Sequence, residues 1–201
     1  QVQVRDVANN YSTSDSLFWC IFRFVYGDNE PVSRYKNREI EEKTKIINYL
    51  KENMNALKAM KVTKKDTLTI MGDLMVNKTT TLFTLPALIS YYKINLYIIF
   101  EYKKTYLKYI YDDDMDQTNT LILVCDKRNN YNTSFGANHI SYADIDAKYF
   151  CQNSAEKALK GISCYSVSDL EAIYKKVHSK EECPKLKKQE LYESLLLHCS
   201  T

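Results

Sequence analysis

Apolar positions recur at helical spacing through the first part of the chain and at strand spacing after it. The run Leu17-Phe18-Trp19-Cys20-Ile21-Phe22-Arg23-Phe24-Val25-Tyr26 predicts a helix over 15–26, capped by Ser14 or Asp15 and ended by Gly27. Ile40, Thr44, Ile47, Leu50, Met54 and Leu57 follow one another at steps of three and four, which predicts a long amphipathic helix over 36–60. Two more helices are predicted over 65–76 and 80–92, the second broken or entered around Pro86. Alternating and β-branched character then takes over, and 94–100, 105–111 and 120–125 read as strands. Asp112-Asp113-Asp114 separates the second strand from the third, 127–133 reads as a polar loop, and His139-Ile140-Ser141-Tyr142 as a short fourth strand. Helices followed by an antiparallel meander make an α+β layout.

After this core the helical period returns. A capped amphipathic helix is predicted over 163–177, with Ser168 as cap and Leu170, Ile173, Tyr174 and Val177 on one face. A second follows over 185–196. The organisation expected is a core over residues 1–150 and a C-terminal two-helix segment over 155–201.

Composition narrows the class. With 201 residues and 45% hydrophobic content, the chain has enough apolar surface for one packed domain, or one with a small appendage. A net charge of +3 is too small to imply nucleic-acid binding over the whole surface. No run approaches the roughly 18 apolar residues of a membrane span, so no membrane contact is expected. Only 4 Gly and 3 Pro against 17 Tyr, with many Asn, Lys and Ile, suggests an AT-rich genome. The 6 cysteines include no C-x-x-C pair, so neither a metal site nor a redox motif is predicted, and no cofactor is expected. Their scatter points to reduced thiols inside a cell.

The candidate chemistry lies in Cys20 and His139. A cysteine near the start of a buried helix and a histidine brought by a distant strand are the two halves of a thiol hydrolase site. His139 is one of 3 histidines; His178 and His198 sit in polar surroundings and read as surface residues. In this reading Cys20 is the nucleophile, and His139 takes its proton and returns it to the leaving amine. Backbone N–H groups around Trp19 and Cys20 would hold the oxyanion, with the loop from Asp15 shaping the hole. Asp15 ranks first as orienter of the imidazole, ahead of Ser141, Asn138 and Asp144. Each residue also has a plainer reading: Cys20 as a packing thiol, Asp15 as a helix cap.

The Asp15-Ser16-Leu17-Phe18-Trp19-Cys20 run, the helix-first order, the segment from Leu85 to Ile99 and the late His139 together resemble the OTU-type cysteine proteases of the papain-like clan. A comparable run occurs in cysteine-protease-like proteins of giant viruses. The resemblance covers about residues 10–150. It departs from the family in placing Asp15 five residues before the cysteine and Ser141, not Asp or Asn, two after the histidine. It implies a papain-like fold and a deubiquitinase, a thiol isopeptidase acting on ubiquitin, polyubiquitin chains or a ubiquitin-like modifier. A viral origin would place it in host cytoplasm, nucleus or virion. The C-terminal pair resembles a SAP-type helix-extension-helix motif without its central glycine, which implies weak DNA contact through its lysines. The alternative is a catalytically inactive ubiquitin-binding or DNA-associated scaffold protein.

Overall fold

The computed structural model describes residues 15–114, 117–133, 142–179 and 182–200. Among the described residues, seven α-helices and a five-stranded sheet confirm the α+β class. The first helix, α1 (Ser16–Tyr26), starts at Asp15, whose Oδ1 accepts the Phe18 N–H at 3.1 Å, and stops at Gly27 with φ 80. That left-handed φ costs glycine nothing and any β-carbon something. Next comes α2 (Tyr35–Glu52), shorter than its apolar period suggested. Asn53 ends it by folding its side-chain amide back onto the Tyr49 carbonyl at 3.0 Å, and a 3-10 turn over Lys58–Met60 carries Leu57 into the core. Thr63 and Asp66 form a reciprocal capping box at the start of α3 (Lys64–Val76). Pro86 lies in the first turn of α4 (Leu85–Tyr92), where its missing N–H leaves no bond unmade.

The sheet is mixed, which corrects the meander. Its strands are β1 (Asn95–Phe100), β2 (Thr105–Tyr109), β3 (Thr120–Cys125), β4 (Tyr131–Thr133) and β5 (Phe150–Cys151), in the order β4-β3-β1-β2-β5. β1 and β2 form an antiparallel hairpin, but β3 returns to the free side of β1 and pairs in parallel, Asn95 opposite Thr120 and Phe100 opposite Cys125. Residues 131–133, expected in a loop, pair antiparallel with β3. The turn before them is built by Asp126, whose carboxylate accepts the N–H groups of Arg128 at 2.8 Å and Asn130 at 2.9 Å. Of the proposed fourth strand at 139–142 only Tyr142 is described, and it opens a helix, α5 (Tyr142–Lys148).

Period-two alternation sorts the sheet residues by face. Leu96, Ile98 and Phe100 of β1 join Leu107, Leu121, Leu123 and Cys125 beneath α1–α4, in the main core. Ile99 and Tyr106 face the other way, onto Ile145 of α5 and Tyr149, with Tyr97, Ile122 and Val124 half-buried beside them. Beyond β5 the chain forms α6 (Val167–His178) and α7 (Lys188–Ser200). The cap of α6 is Ser166, in a capping box with Asp169, not Ser168. Leu170, Tyr174 and Val177 pack with Leu159, Leu191, Tyr192 and Leu195 in a cluster of their own. That cluster is tied back to the sheet: the Lys103 ammonium donates to the Cys199 carbonyl at 3.2 Å, and His198 Nε2 lies 3.0 Å from the Lys103 carbonyl. The rings of His198 and His178 meet at a tilt with centroids 4.4 Å apart and both are half-buried, so neither is the plain surface residue its neighbours suggested.

Candidate functional site around Cys20

Ser16 and Cys20 lie one turn apart, so both side chains face the same neighbour. That neighbour is Tyr131, the first residue of β4. The Tyr131 N–H donates to Ser16 Oγ at 3.1 Å, and the Cys20 thiol donates to the Tyr131 carbonyl at 3.3 Å. Helix α1 therefore satisfies both backbone groups of one edge-strand residue. An edge strand presents unpaired backbone groups on its outer side, and these two side chains answer them. Such a pairing of residues four apart is visible in the sequence as a spacing, but its partner strand was not recognisable.

Cys20 is the fifth residue of α1, in its second turn, and not at the helix start where the sequence had placed it. The positive end of a helix acts within its first turn, and that position belongs to Ser16. The side chain of Cys20 is 4% exposed. Burial pushes its thiol up to about 11; the Arg23 charge and a backbone hydrogen bond at Thr133 pull down, and burial outweighs both. Arg23 is itself engaged, paired with Asp28 at 3.0 Å and bonded to the Tyr35 hydroxyl at 2.9 Å. A thiol so placed is a hydrogen-bond donor at neutral pH.

Asp15 has a larger structural task than capping. Its Oδ2 accepts the Thr80 N–H at 2.6 Å, the Thr80 hydroxyl at 2.8 Å and the Lys43 ammonium at 2.9 Å. One carboxylate thus joins α1, α2 and the segment before α4, and it is 2% exposed. Lys43 also holds Glu39 at 2.7 Å. A buried ion pair persists only when its remaining hydrogen-bonding capacity is satisfied, and here it is. Asp15 is directed at α2 and Thr80, whereas Cys20 is directed at β4.

Trp19 is 2% exposed and stacks on Tyr35 with ring centroids 4.0 Å apart. The backbone N–H of Trp19 donates to the Asp15 carbonyl at 3.1 Å. Only the first four N–H groups of a helix lack internal partners, so those of Trp19 and Cys20 do not form an oxyanion hole; this corrects that expectation. His139, Ser141 and Asn138 lie outside the described residues. Asp144, the remaining rival, sits 3.5 Å from Lys148 in an exposed pair within α5.

The other cysteines divide by burial. Cys125 is core, as expected, and burial raises its thiol to about 11; Cys199 is raised to about 11 for the same reason. Cys164 is exposed. Among the described residues no three His, Cys, Asp or Glu side chains are grouped to hold a metal ion, and no helix is long and apolar enough to cross a membrane. No protein-family model, characterised protein or solved structure matches this chain.

Proposed function

We propose that this chain is a papain-like-clan module that engages ubiquitin or a ubiquitin-like modifier without thiol chemistry at Cys20. The modifier class comes from the OTU-type resemblance of the Asp15–Cys20 run and the helices-before-sheet order. The observation that carries the inert half of the reading is the closed thiol: 4% exposed, bonded to Tyr131 and raised to about 11. A nucleophilic cysteine needs a lowered pKa and an open approach, and Cys20 has neither. The six free cysteines support a reducing compartment.

The second reading, an active thiol isopeptidase using Cys20, His139 and either Asp15 or Ser141, is favoured by one feature. The polar partner of Cys20 lies on β4, the strand that leads directly into the segment carrying His139. Any weak DNA contact would run through exposed Lys175, Lys185 and Lys187 of the C-terminal pair.

Titration of labelled ubiquitin with the protein, followed by NMR, separates the readings when paired with a ubiquitin carrying a C-terminal electrophile. Non-covalent shifts that persist in Cys20→Ala, with no adduct, are expected. An adduct that Cys20→Ala abolishes makes the isopeptidase reading correct. Neither shifts nor adduct, with ubiquitin or its relatives, removes both.

A further inference from the structure

A cavity of about 590 Å³ opens between α5 and α6, on the side of the molecule where the C-terminal pair meets the sheet unit. Four of its lining residues are lysines, and none is acidic. They come from three places: Lys104 from the β1–β2 turn, Lys148 from the end of α5, and Lys175 and Lys176 from the last turn of α6. In a chain whose net charge is +3, four cations around one concavity are a local excess.

Helix ends account for part of it. Lysines in a last turn complement the negative end of the helix dipole, which suits Lys148, Lys175 and Lys176. Lys104 caps only the short 3-10 turn Glu101–Lys103, whose dipole is slight. It has a left-handed φ of 51, and its ammonium stands 5.6 Å from the ring centroid of buried Tyr149, which also lines the cavity. The Lys176 ammonium donates to the Asp146 carbonyl at 2.7 Å. Asp144 pairs with Lys148 at 3.5 Å in an exposed contact, and no described carboxylate pairs with Lys104, Lys175 or Lys176. Ala147 and Ala172 leave room between the cations.

We propose that this cavity binds a compact polyphosphate anion, held by Lys104 and Lys148 from one side and Lys175 and Lys176 from the other. The volume falls within the range of small-molecule sites. Ammonium groups bind phosphate as point charges, whereas a single carboxylate is matched better by the guanidinium fork that this site lacks. A concave site with converging cations suits one small multivalent ligand more than the extended backbone of a nucleic acid. Bound there, the anion would bridge the sheet unit and α6.

The test is calorimetric titration of the full chain with tripolyphosphate at low ionic strength. Saturable one-to-one binding is expected, weakening as salt screens the charges. Lys104→Gln/Lys175→Gln should lower affinity about tenfold, and Lys148→Gln less, because each ammonium contributes modestly at an exposed site. Lys185→Gln/Lys187→Gln, outside the cavity, should leave affinity within about twofold. Absent saturable binding overturns the proposal, as does an equal loss in both double variants, which would mean a diffuse basic surface. Short duplex DNA that binds through Lys104 and Lys175 while tripolyphosphate does not would also overturn it, by making the ligand a nucleic acid.

Discussion

The start of α1 and the α5–α6 cavity use charge in opposite ways. At the start of α1 the polar side chains are committed inward: Asp15 to Phe18, Thr80 and Lys43, Ser16 and Cys20 to Tyr131. At the cavity, Lys104, Lys148, Lys175 and Lys176 stand around water-accessible space with no described carboxylate among the lining groups. The first arrangement yields rigidity, because each group left unpaired in the dry interior is costly. The second leaves Lys104 and Lys175 with no carboxylate partner among the described residues. The polar groups of the Asp15–Cys20 run are thus tied into the surrounding structure, whereas the cluster of lysines faces open space.

The sharpest way to break this contrast is Asp15→Ala. It leaves Lys43 with only Glu39, and the Thr80 N–H with no acceptor, so about 3–5 kcal/mol of stability should be lost in chemical denaturation. Asp15→Asn, which keeps an acceptor for the Phe18 N–H, should recover the capping part only, about 1 kcal/mol. If Asp15→Ala costs no more than a cap, the carboxylate is not an organising centre. Asp169, exposed in the capping box of α6, is the comparison: its replacement should cost far less.

Alkaline pH should act next. The thiols of Cys20, Cys125 and Cys199 all stand near 11 when folded, above the roughly 8.5 of a free thiol. A folded pKa above the unfolded one gives stability that is complete below about 8.5 and lost as pH rises toward 11. Tm should therefore fall across that window, and replacing the three cysteines by alanine should flatten the fall. An equally steep fall in the triple variant would assign it to other groups.

Cys20→Ala should cost about 1–2 kcal/mol, since it leaves the Tyr131 carbonyl unpaired and a small void. Cys20→Ser keeps a donor and should cost less. The smallest effect belongs to the cavity: Lys175→Gln should change stability by no more than about 0.5 kcal/mol. A much larger loss would mean that this lysine is a structural member of the α6 docking.

Local signals carried most of the helices. Asp15 before an apolar run and Gly27 after Tyr26 marked the bounds of α1 because caps are chemistry within four residues, whereas the Thr63–Asp66 box that opens α3 emerged only in the structure. The Ser166–Asp169 box was equally visible, yet Ser168 offers the same hydroxyl, and only the reciprocal bond distinguishes them. Non-local pairing was not legible. Nothing in Leu121-Ile122-Leu123-Val124-Cys125 says that it joins β1 in parallel, because the alternation of side chains is the same in either direction. β4 has three residues, too few for a period, and exists because β3 and α1 supply its partners. Cys20 was recognised, but its environment was not: whether a helical thiol meets solvent or a strand carbonyl depends on β4.

The most direct test of the closed thiol is native-state alkylation at pH 7.5 with iodoacetamide, followed residue by residue by mass spectrometry. Exposed Cys164 should label at the rate of an ordinary thiol, and Cys20 only as fast as the protein unfolds, with urea accelerating Cys20 alone of the two. Labelling of Cys20 faster than Cys164 in the folded protein would contradict the account, since only an accessible, activated thiolate reacts in that order.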